Sequence, residues 1–205
     1  MKLRPYQICV SGAAAGKTVE MSARLAYTLG VTIAKSGHTL LTGATVGLPY
    51  HAAKGAKSAG GLSIGFSPAS TYREHVNSYK LPTDTFDFIN FTGMDYVGRD
   101  VHLVRSAEAV ITVGGRMGSL HEFSTALESH KLCGVLLGSG GLADFIPIIT
   151  DKLPMPAKDA IIYDTNPERL VKQIIEALDE RYKDFHDPTD EMREYAMSPD
   201  TGRQG

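Results

Sequence analysis

Four glycine-bearing segments carry the residues that could do chemistry in this chain of 205 residues. They are 11–18, 42–47, 113–119 and 138–141, and each directly follows a short apolar run. Glycine has no Cβ atom and adopts positive φ readily, so backbone N–H groups beside it can approach a phosphate closely. A helix that follows such a turn adds the positive end of its dipole. The segments therefore indicate a nucleotide phosphate site, with Gly12 and Gly43 among its residues. The alternative is that tight strand-to-helix turns need glycine for their own sake.

The third segment ends in the pattern of a helix cap. Ser119 and Glu122 have the spacing of a capping box. In that motif the serine hydroxyl accepts a hydrogen bond from the backbone N–H of residue 122, and the glutamate accepts one from the N–H of residue 119. This interpretation explains both residues without chemistry. The same geometry holds a carboxylate at the mouth of a glycine loop, where it can orient water or bind a ribose hydroxyl. Both interpretations stay open at this point.

Two arginines lie between the fourth and fifth predicted strands. Arg99 falls near the start of a predicted helix, beside the glycine segments, where its fixed fork of donors would suit a phosphate. Arg105 lies six residues later and is expected to face elsewhere. The alternative for each is a solvated charge on a helix surface.

The spacing of residues in this sequence does not match several other known binding motifs. A P-loop needs a glycine five positions before Gly16, where Ser11 stands instead, and no strand ends in an aspartate placed for magnesium. A spaced G-x-G-x-x-G fingerprint is absent, which argues against an ordinary nicotinamide dinucleotide site. The pair His121 and Glu122 lacks the second histidine of a zinc-protease helix, because Thr125 stands at that position. We predict no metal site and no resident cofactor.

The elements that must position these residues follow an alternating order. Short apolar runs alternate with longer segments of helical spacing up to about residue 180, which is typical of βα units around a parallel sheet. The pattern predicts seven strands at 6–11, 38–42, 62–66, 86–91, 109–113, 133–137 and 160–163. We therefore expect a doubly wound, mainly parallel α/β sheet with helices on both faces. Its glycine segments then share the carboxyl edge of the sheet, where such folds bind ligands.

Helical periodicity defines two of the helices and the end of the domain. One helix, between the first two strands, ends near Gly37 and has its apolar face at Ser22, Ala26, Leu29 and Ile33. The last helix begins at Asn166 and Pro167, and its apolar stripe over 170–178 packs on the sheet or on a partner. We expect one domain over 1–182 and a polar C-terminal tail over 183–205.

Composition and charge narrow the function classes. Hydrophobic residues make up 42% of the chain and charged residues 21%, as in an ordinary globular protein. The formal net charge of −2 provides no global positive field for a nucleic acid. Cys9 and Cys133 lie in apolar runs, which favours buried thiols in a reducing compartment. Since no apolar run reaches 18 residues and the N-terminus lacks a signal-peptide pattern, we expect a cytoplasmic protein with no membrane segment.

The segment 107–122, AEAVITVGGRMGSLHE, resembles the P-G-G-x-G-T-x-x-E signature of the Lonely Guy family in the SLOG superfamily, whose members were formerly called lysine decarboxylases. Residues 42–48 and 60–68 resemble that family's second glycine loop and third strand. The resemblance runs from Tyr6 to about residue 150. Within the superfamily, residues 104–107 and 113–115 are more similar to the branch with molybdenum-cofactor carrier proteins than to cytokinin-activating enzymes.

The resemblance implies a Rossmann-like homodimer that binds a nucleoside 5′-monophosphate. Enzymes of the family hydrolyse the N-glycosidic bond to release the base and ribose 5-phosphate, and their catalytic arginine and glutamate fall on Arg99 and Glu122. Their threonine falls on Ser119. With the glycine segments included, the predicted phosphate- or nucleotide-binding residues are Gly12, Gly43, Gly114, Gly115, Arg116, Met117, Gly118 and Ser119.

Three positions depart from the family pattern. Gly114 stands in place of the proline, Arg116 in place of the second motif glycine and Asp100 in place of the lysine after the arginine. Arg116 either adds a phosphate contact or blocks the pocket. The first functional hypothesis is a nucleoside monophosphate phosphoribohydrolase. The alternative, which Asp100 and Arg116 favour, is a carrier or sensor that binds a nucleotide or the molybdenum cofactor without turnover. A DNA-binding relative, as in the DNA-processing protein A branch, gains no support from the net charge.

Overall fold

The structure, a computed structural model, describes residues 4–153 and 158–185. Its strands are β1 (Gln7–Gly12), β2 (Thr39–Thr42), β3 (Ser63–Ser67), β4 (Phe88–Phe91), β5 (Ala109–Val113), β6 (Leu132–Leu136) and β7 (Ile161–Asp164). Each lies within two residues of its predicted bounds. The apolar runs identify strands well here because β2, β5 and β6 are buried along their whole length.

Within the described residues, seven helices connect or follow these strands. They are α1 (Lys17–Lys35), α2 (Leu48–Ser58), α3 (Tyr72–Asn77), α4 (Asp95–Ser106), α5 (Met117–Glu128), α6 (Leu142–Lys152) and α7 (Pro167–Arg181), with a short 3-10 helix at Lys158–Ala160. Gly37 has a φ of 81° just after α1, as expected for a glycine at a helix end. Asn166 caps α7 by accepting a hydrogen bond from the backbone N–H of Arg169. Both predicted helix boundaries are therefore confirmed.

The strands form one sheet in the order β4-β3-β2-β1-β5-β6-β7, and every neighbouring pair is parallel. The chain fills one side of the sheet from β1 to β4 and the other side from β5 to β7. The strand order therefore reverses between β1 and β5, which are paired from Ile8 opposite Ala109 to Gly12 opposite Val113. Loops leaving these two strands diverge to opposite faces, and the crevice between them is where doubly wound folds bind ligands.

Two helical layers cover the sheet. Side chains of α1, α2 and α7 pack on one face, and side chains of α4, α5 and α6 pack on the other. The predicted apolar face of α1 is buried. In α7, Leu170, Ile174 and Leu178 are buried against the sheet of the same chain, so this stripe needs no partner. The predicted Rossmann-like α/β fold is confirmed.

Three further expectations concern single features of the chain. Cys9 and Cys133 are buried free thiols, as their apolar surroundings predict. Across 4–153 and 158–185, none of the helices combines the length and the apolar character needed to cross a membrane. Of the predicted polar tail, residues 183–185 follow α7, and 186–205 lie outside the described residues.

Candidate functional site

A cleft of about 190 Å³ lies at the carboxyl edge of the sheet, where the strand order reverses. The loops after β1, β2 and β5 and the first turns of α2, α4 and α5 form its walls. Its lining residues are Gly12, Ala13, Ala14, Gly43, Thr45, Pro49, Tyr96, Arg99, Asp100, Arg116, Gly118, Ser119 and Glu122. The fold therefore brings together most of the predicted site residues. Gly114, Gly115 and Met117 do not line the cleft.

Arg99 is buried at the floor of the cleft, with only 4% of its surface exposed. Its Nε donates a hydrogen bond of 3.0 Å to Asp100, and its Nη1 donates to the backbone carbonyls of Gly43 and Phe66. A Cβ atom at Gly43 would lie 2.8 Å from Cζ of Arg99, so a side chain at this position would displace the guanidinium. Arg99 is thus neither a solvated helix charge nor a free fork of donors, because it ties α4 to the ends of β2 and β3.

Glu122 lies beside Arg99 and is also buried, although it belongs to a different helix. Its carboxylate accepts a hydrogen bond from the hydroxyl of Ser11 at the end of β1. Burial, the charge of Asp100 and a hydrogen bond to the Asp100 carboxyl together raise the pKa of Glu122 from 4.5 to about 7, against the lowering effects of Arg99 and Ser11. The floor of the cleft therefore holds a pair of acidic groups that share one buried guanidinium.

The second oxygen of Asp100 extends this network towards solvent. It lies 3.2 Å from Nδ1 of His121, whose side chain is 36% exposed. Asp100 stands where the family pattern has lysine, so a negative charge replaces a positive one at the cleft floor. Asp100 thus links the buried Arg99 and Glu122 to the partly exposed His121.

The predicted capping box is wrong. Helix α5 begins at Met117, with Arg116 as its N-cap and no side chain capping it. Ser119 is therefore inside the first turn rather than at the cap, and Glu122 turns inward to Ser11 instead of back to the N–H of residue 119. The first turn of α5 keeps backbone N–H groups without intrahelical acceptors, and Gly118 and Ser119 present this turn to the cleft.

Gly114 and Gly115 support the cleft from behind. Both are buried with positive φ, and the Gly114 N–H donates a 2.8 Å hydrogen bond to the hydroxyl of Ser139. Their carbonyls accept hydrogen bonds from the N–H groups of Leu142 and Ala143 at the start of α6. The backbone N–H of Gly114 is thus already engaged within the protein. Met117 is 76% exposed and does not line the cleft.

The fourth glycine segment is occupied by a side chain of the protein. Asp144 accepts hydrogen bonds from the backbone N–H groups of Gly138 at 2.6 Å and Gly140 at 3.1 Å. A carboxylate from α6 therefore takes the position that an anionic ligand would take there. Lys17, the lysine of the P-loop-like first segment, is exposed and does not line the cleft either.

Sequence spacing missed Thr45, Pro49 and Tyr96 as lining residues. Tyr96 is 46% exposed, and its ring centroid lies 5.7 Å from Cζ of Arg99. The three residues fall in or near the first turns of α2 and α4, where motif matching provides no signal beyond their position after a strand. In residues 4–153 and 158–185, no group of three or more histidine, cysteine or acidic side chains could hold a metal ion.

Comparisons with known proteins agree with this architecture. An uncharacterized protein from Archaeoglobus fulgidus is 38% identical over 131 residues, which cover 64% of this chain and 78% of that protein. The molybdenum cofactor binding protein from Rippkaea orientalis is 28% identical, with a TM-score of 0.70 over 86% of this chain and 99% of that chain. The Moco carrier protein from Chlamydomonas reinhardtii is 28% identical, with a TM-score of 0.67 over 85% and 99%. Residues 5–171 match the SLOG cluster4 family. The chain, which has this fold and resembles the SLOG superfamily along its glycine loops, therefore belongs to the SLOG cluster4 family.

Proposed function

We propose that the cleft binds a nucleoside monophosphate or a similar phosphorylated cofactor and holds it without hydrolysing it. The observation that carries this proposal is the network of Arg99, Asp100 and Glu122 at the cleft floor. The arginine and glutamate predicted to be catalytic bind main-chain carbonyls, a second carboxylate and Ser11. A glycosidase needs its charged groups directed at the reacting sugar. Because Arg99, Asp100 and Glu122 are engaged with one another, the arrangement favours binding of the ligand over hydrolysis of the ligand.

The phosphate of the ligand fits the first turn of α5. Backbone N–H groups at this helix start are directed towards an anion, and the helix dipole favours negative charge there. Arg116 adds a guanidinium on the same side, so of the two roles left open by sequence we assign it the phosphate contact. The site lies where the strand order reverses, which is the usual ligand position of this fold class.

The relatives named for the molybdenum cofactor suggest the class of cargo. That cofactor is a phosphorylated pterin, and it shares a planar ring and a phosphate with a nucleotide. The cleft offers an aromatic side chain in Tyr96 and a cationic one in Arg116, which fit those two groups. We therefore propose a carrier or sensor role, with the molybdenum cofactor as one candidate cargo.

Hydrolysis of the N-glycosidic bond is the second candidate function, and the raised pKa of Glu122 at the cleft floor favours it. A carboxyl with its pKa raised to about 7 can donate a proton to the departing base at neutral pH. The nearby Asp100 carboxylate would then stabilise the positive charge on the ribose as the bond breaks. Water would add to the anomeric carbon and return a proton to the Glu122 carboxylate, giving free base and ribose 5-phosphate.

One experiment separates the two candidates. The purified full chain is titrated with AMP by calorimetry, and the same mixture is analysed chromatographically for AMP and adenine after prolonged incubation. We expect saturable binding at one site and full recovery of AMP. Adenine release that the Glu122→Gln variant abolishes would favour hydrolysis instead. If AMP does not bind and mass spectrometry finds no phosphorylated ligand that copurifies, the binding proposal is wrong.

A further inference from the structure

Acidic groups outnumber basic groups at the floor of the cleft. In the described part of the chain, the acidic and basic side chains that line the cleft are Arg99, Asp100, Arg116 and Glu122. Arg116 is the N-cap of α5 and stands at the helix start. The other three are in contact with one another and are each less than a tenth exposed. The floor therefore combines two carboxyl groups with a single guanidinium.

The charge of Arg99 is already used within the protein. Its Nε donates a 3.0 Å hydrogen bond to Asp100, and its Nη1 donates to the backbone carbonyls of Gly43 and Phe66. A guanidinium held by a carboxylate and two carbonyl oxygens has little charge left to attract an anion from outside. Arg99 therefore balances the charge of Asp100 and leaves the second acid of the floor without a cation of its own.

Asp100 is held in place through both of its oxygens. One oxygen accepts the hydrogen bond from Nε of Arg99, and the other lies 3.2 Å from Nδ1 of His121 on α5. The residue lines the cleft although it is only 5% exposed. The side chain cannot turn away from a ligand without losing both contacts, so its negative charge is a fixed part of the cleft wall.

The charge of Glu122, the second acid, depends on pH. Burial and the charge of Asp100 raise the pKa of Glu122 to about 7, and Arg99 and the Ser11 hydroxyl oppose this rise. The Cys9 thiol of β1 also faces this carboxyl, and burial keeps it neutral because it raises the pKa of Cys9 well above its usual range. The three floor groups thus sum to zero when Glu122 is protonated and to one negative charge when it is ionised.

The acids lie close to the position proposed for the phosphate. That position is the first turn of α5, at Gly118 and Ser119, and Glu122 follows Ser119 by three residues, which is about 4.5 Å along the helix axis. The part of a ligand attached directly to the phosphate, such as the sugar of a nucleotide, is therefore nearest to the floor. A hydroxyl group there can donate a hydrogen bond to a carboxylate, whereas a second phosphate would be repelled by it.

We propose that Asp100, together with Glu122, determines the specificity of the cleft by excluding ligands that carry a second anionic group next to the bound phosphate. Asp100 has two effects, because it supplies a fixed negative charge and withdraws Arg99 from any incoming anion. This inference rests on the proposed binding function. It narrows the ligand class to phosphate monoesters whose neighbouring group is neutral and hydroxylated.

Nucleotides with one and two phosphates on the sugar test this exclusion. AMP is compared with adenosine 3′,5′-bisphosphate and adenosine 2′,5′-bisphosphate at pH 8, where every phosphate carries close to two charges. Repulsion between like charges at this range should make both bisphosphates bind the wild type about 10-fold or more weakly than AMP. Asp100→Asn keeps the size and an acceptor for Arg99, and it should reduce this difference to about 2-fold.

Glu122→Gln provides a second variant with a different signature. At pH 8 it should also reduce the difference between AMP and the bisphosphates, because it removes the carboxylate that has no cation. In the wild type the difference should grow more steeply from pH 6 to pH 8 than in Glu122→Gln, whose remaining change reports the ionisation of the phosphates alone. Asp151→Asn is the matched control, since the Asp151 side chain is 70% exposed on α6 and does not line the cleft.

Calorimetry on the full chain gives the dissociation constants, and circular dichroism checks folding. Loss of the difference in Asp100→Asn, with its retention in Asp151→Asn, supports the exclusion. Wild type that binds all three ligands equally, or a difference that Asp100→Asn leaves unchanged, contradicts it while AMP binding still supports the proposed function. If Asp100→Asn does not fold, the pH series decides, and parallel curves of wild type and Glu122→Gln overturn the inference. If the wild type does not bind AMP, the proposed function fails and the exclusion fails with it.

Discussion

Glu122 illustrates how burial changes the chemistry of a side chain. The carboxyl lies at the cleft floor, 7% exposed, between the hydroxyl of Ser11 and the carboxyl of Asp100. An ionised carboxylate is costly in such surroundings unless a cation is paired with it, and Arg99 is already shared with Asp100. The group therefore keeps its proton to a higher pH than an exposed glutamate does.

The raised pKa of Glu122 predicts a pH-dependent stability. The folded chain binds this proton more tightly than the unfolded chain, so the free energy of unfolding falls as the pH rises from about 4.5 to about 7. The glutamine side chain of the Glu122→Gln variant cannot ionise, so this group no longer lowers the free energy of unfolding as the pH rises. Between pH 5 and pH 8 the stability of the variant should rise relative to wild type by on the order of 2 kcal/mol, measured by urea unfolding.

The control for this measurement is Glu128→Gln, at the exposed end of the same helix. Its stability relative to wild type should stay constant across the same pH range. A Glu122→Gln variant whose stability also runs parallel to wild type from pH 5 to pH 8 would show that the buried carboxyl titrates normally.

Gly43 provides a second test at the residue scale, because the Arg99 guanidinium packs where its Cβ would lie. Gly43→Ala should destabilise the fold by about 1–3 kcal/mol through overpacking. It should also weaken AMP binding, since Arg99 must move. Gly118→Ala is the control: a Cβ there meets no atom within 4 Å, and alanine suits a helix. Equal unfolding free energies of the two variants would contradict the packing argument.

Residue types in the sequence indicated which side chains belong to the site but not what they contact. Arg99, Glu122 and Ser119 were identified from their motif, and all three line the cleft. The contact between Ser11 and Glu122 spans 111 positions. Local spacing cannot detect such a contact, and it predicted a capping box instead. In the sequence, Asp100 is distinguished only by its departure from the family pattern, although its charge and hydrogen bond raise the pKa of Glu122.

At the scale of elements, the glycine loop after β5 depends on the loop after β6. The hydroxyl of Ser139 accepts from the Gly114 N–H and donates to the carbonyl of Leu136, and it is fully buried. The start of α6 donates two further backbone hydrogen bonds to the Gly114 and Gly115 carbonyls. The cleft loop is therefore supported by its neighbour in the sheet order.

Removing the Ser139 hydroxyl should lower the stability of the fold. Ser139→Ala leaves the buried Gly114 N–H without its acceptor, so we expect a loss of about 1–3 kcal/mol in urea unfolding and weaker AMP binding. Ser124→Ala removes an exposed serine hydroxyl that bonds within α5, and it should change stability by less than about 0.5 kcal/mol. Similar effects of the two variants would show that the hydrogen bonds of the Ser139 hydroxyl contribute little to stability.

The strands could be predicted within two residues because buried parallel strands are short apolar runs with turn residues at their ends. The ends of the helices were harder to predict from the sequence than the strands. Helix α5 begins at Met117, before the serine expected to cap it, because two glycines with positive φ turn the chain immediately upstream. The sequence also did not predict that Asp144 accepts hydrogen bonds from the loop at 138–141, because that contact depends on how α6 packs.

At the scale of the whole molecule, the two helical layers differ at their outer surfaces. Helix α4 and its N-cap expose Met94, Val97 and Val101, an apolar stripe with helical spacing, next to the cleft. Such a stripe on a helix surface favours burial against another protein surface. We expect it to form the interface of the homodimer that the family resemblance implies.

Sedimentation velocity tests this expectation. The wild type should sediment as a dimer, and Val97→Asp, which places a charge in the stripe, should sediment as a monomer. Met21→Asp is the control, because Met21 is similarly exposed on α1 in the opposite layer. A monomeric wild type, or a dimer that both substitutions leave unchanged, would exclude the α4 stripe as the interface.

A crystal structure of the full chain grown with AMP tests most directly whether the cleft at the β1–β5 reversal holds a phosphorylated nucleotide intact. We predict its phosphate within hydrogen-bond distance of the backbone N–H groups of Gly118 or Ser119, its ring against Tyr96 and its glycosidic bond unbroken. An empty cleft with AMP bound elsewhere, or separate adenine and ribose 5-phosphate in the cleft, would contradict the proposed function.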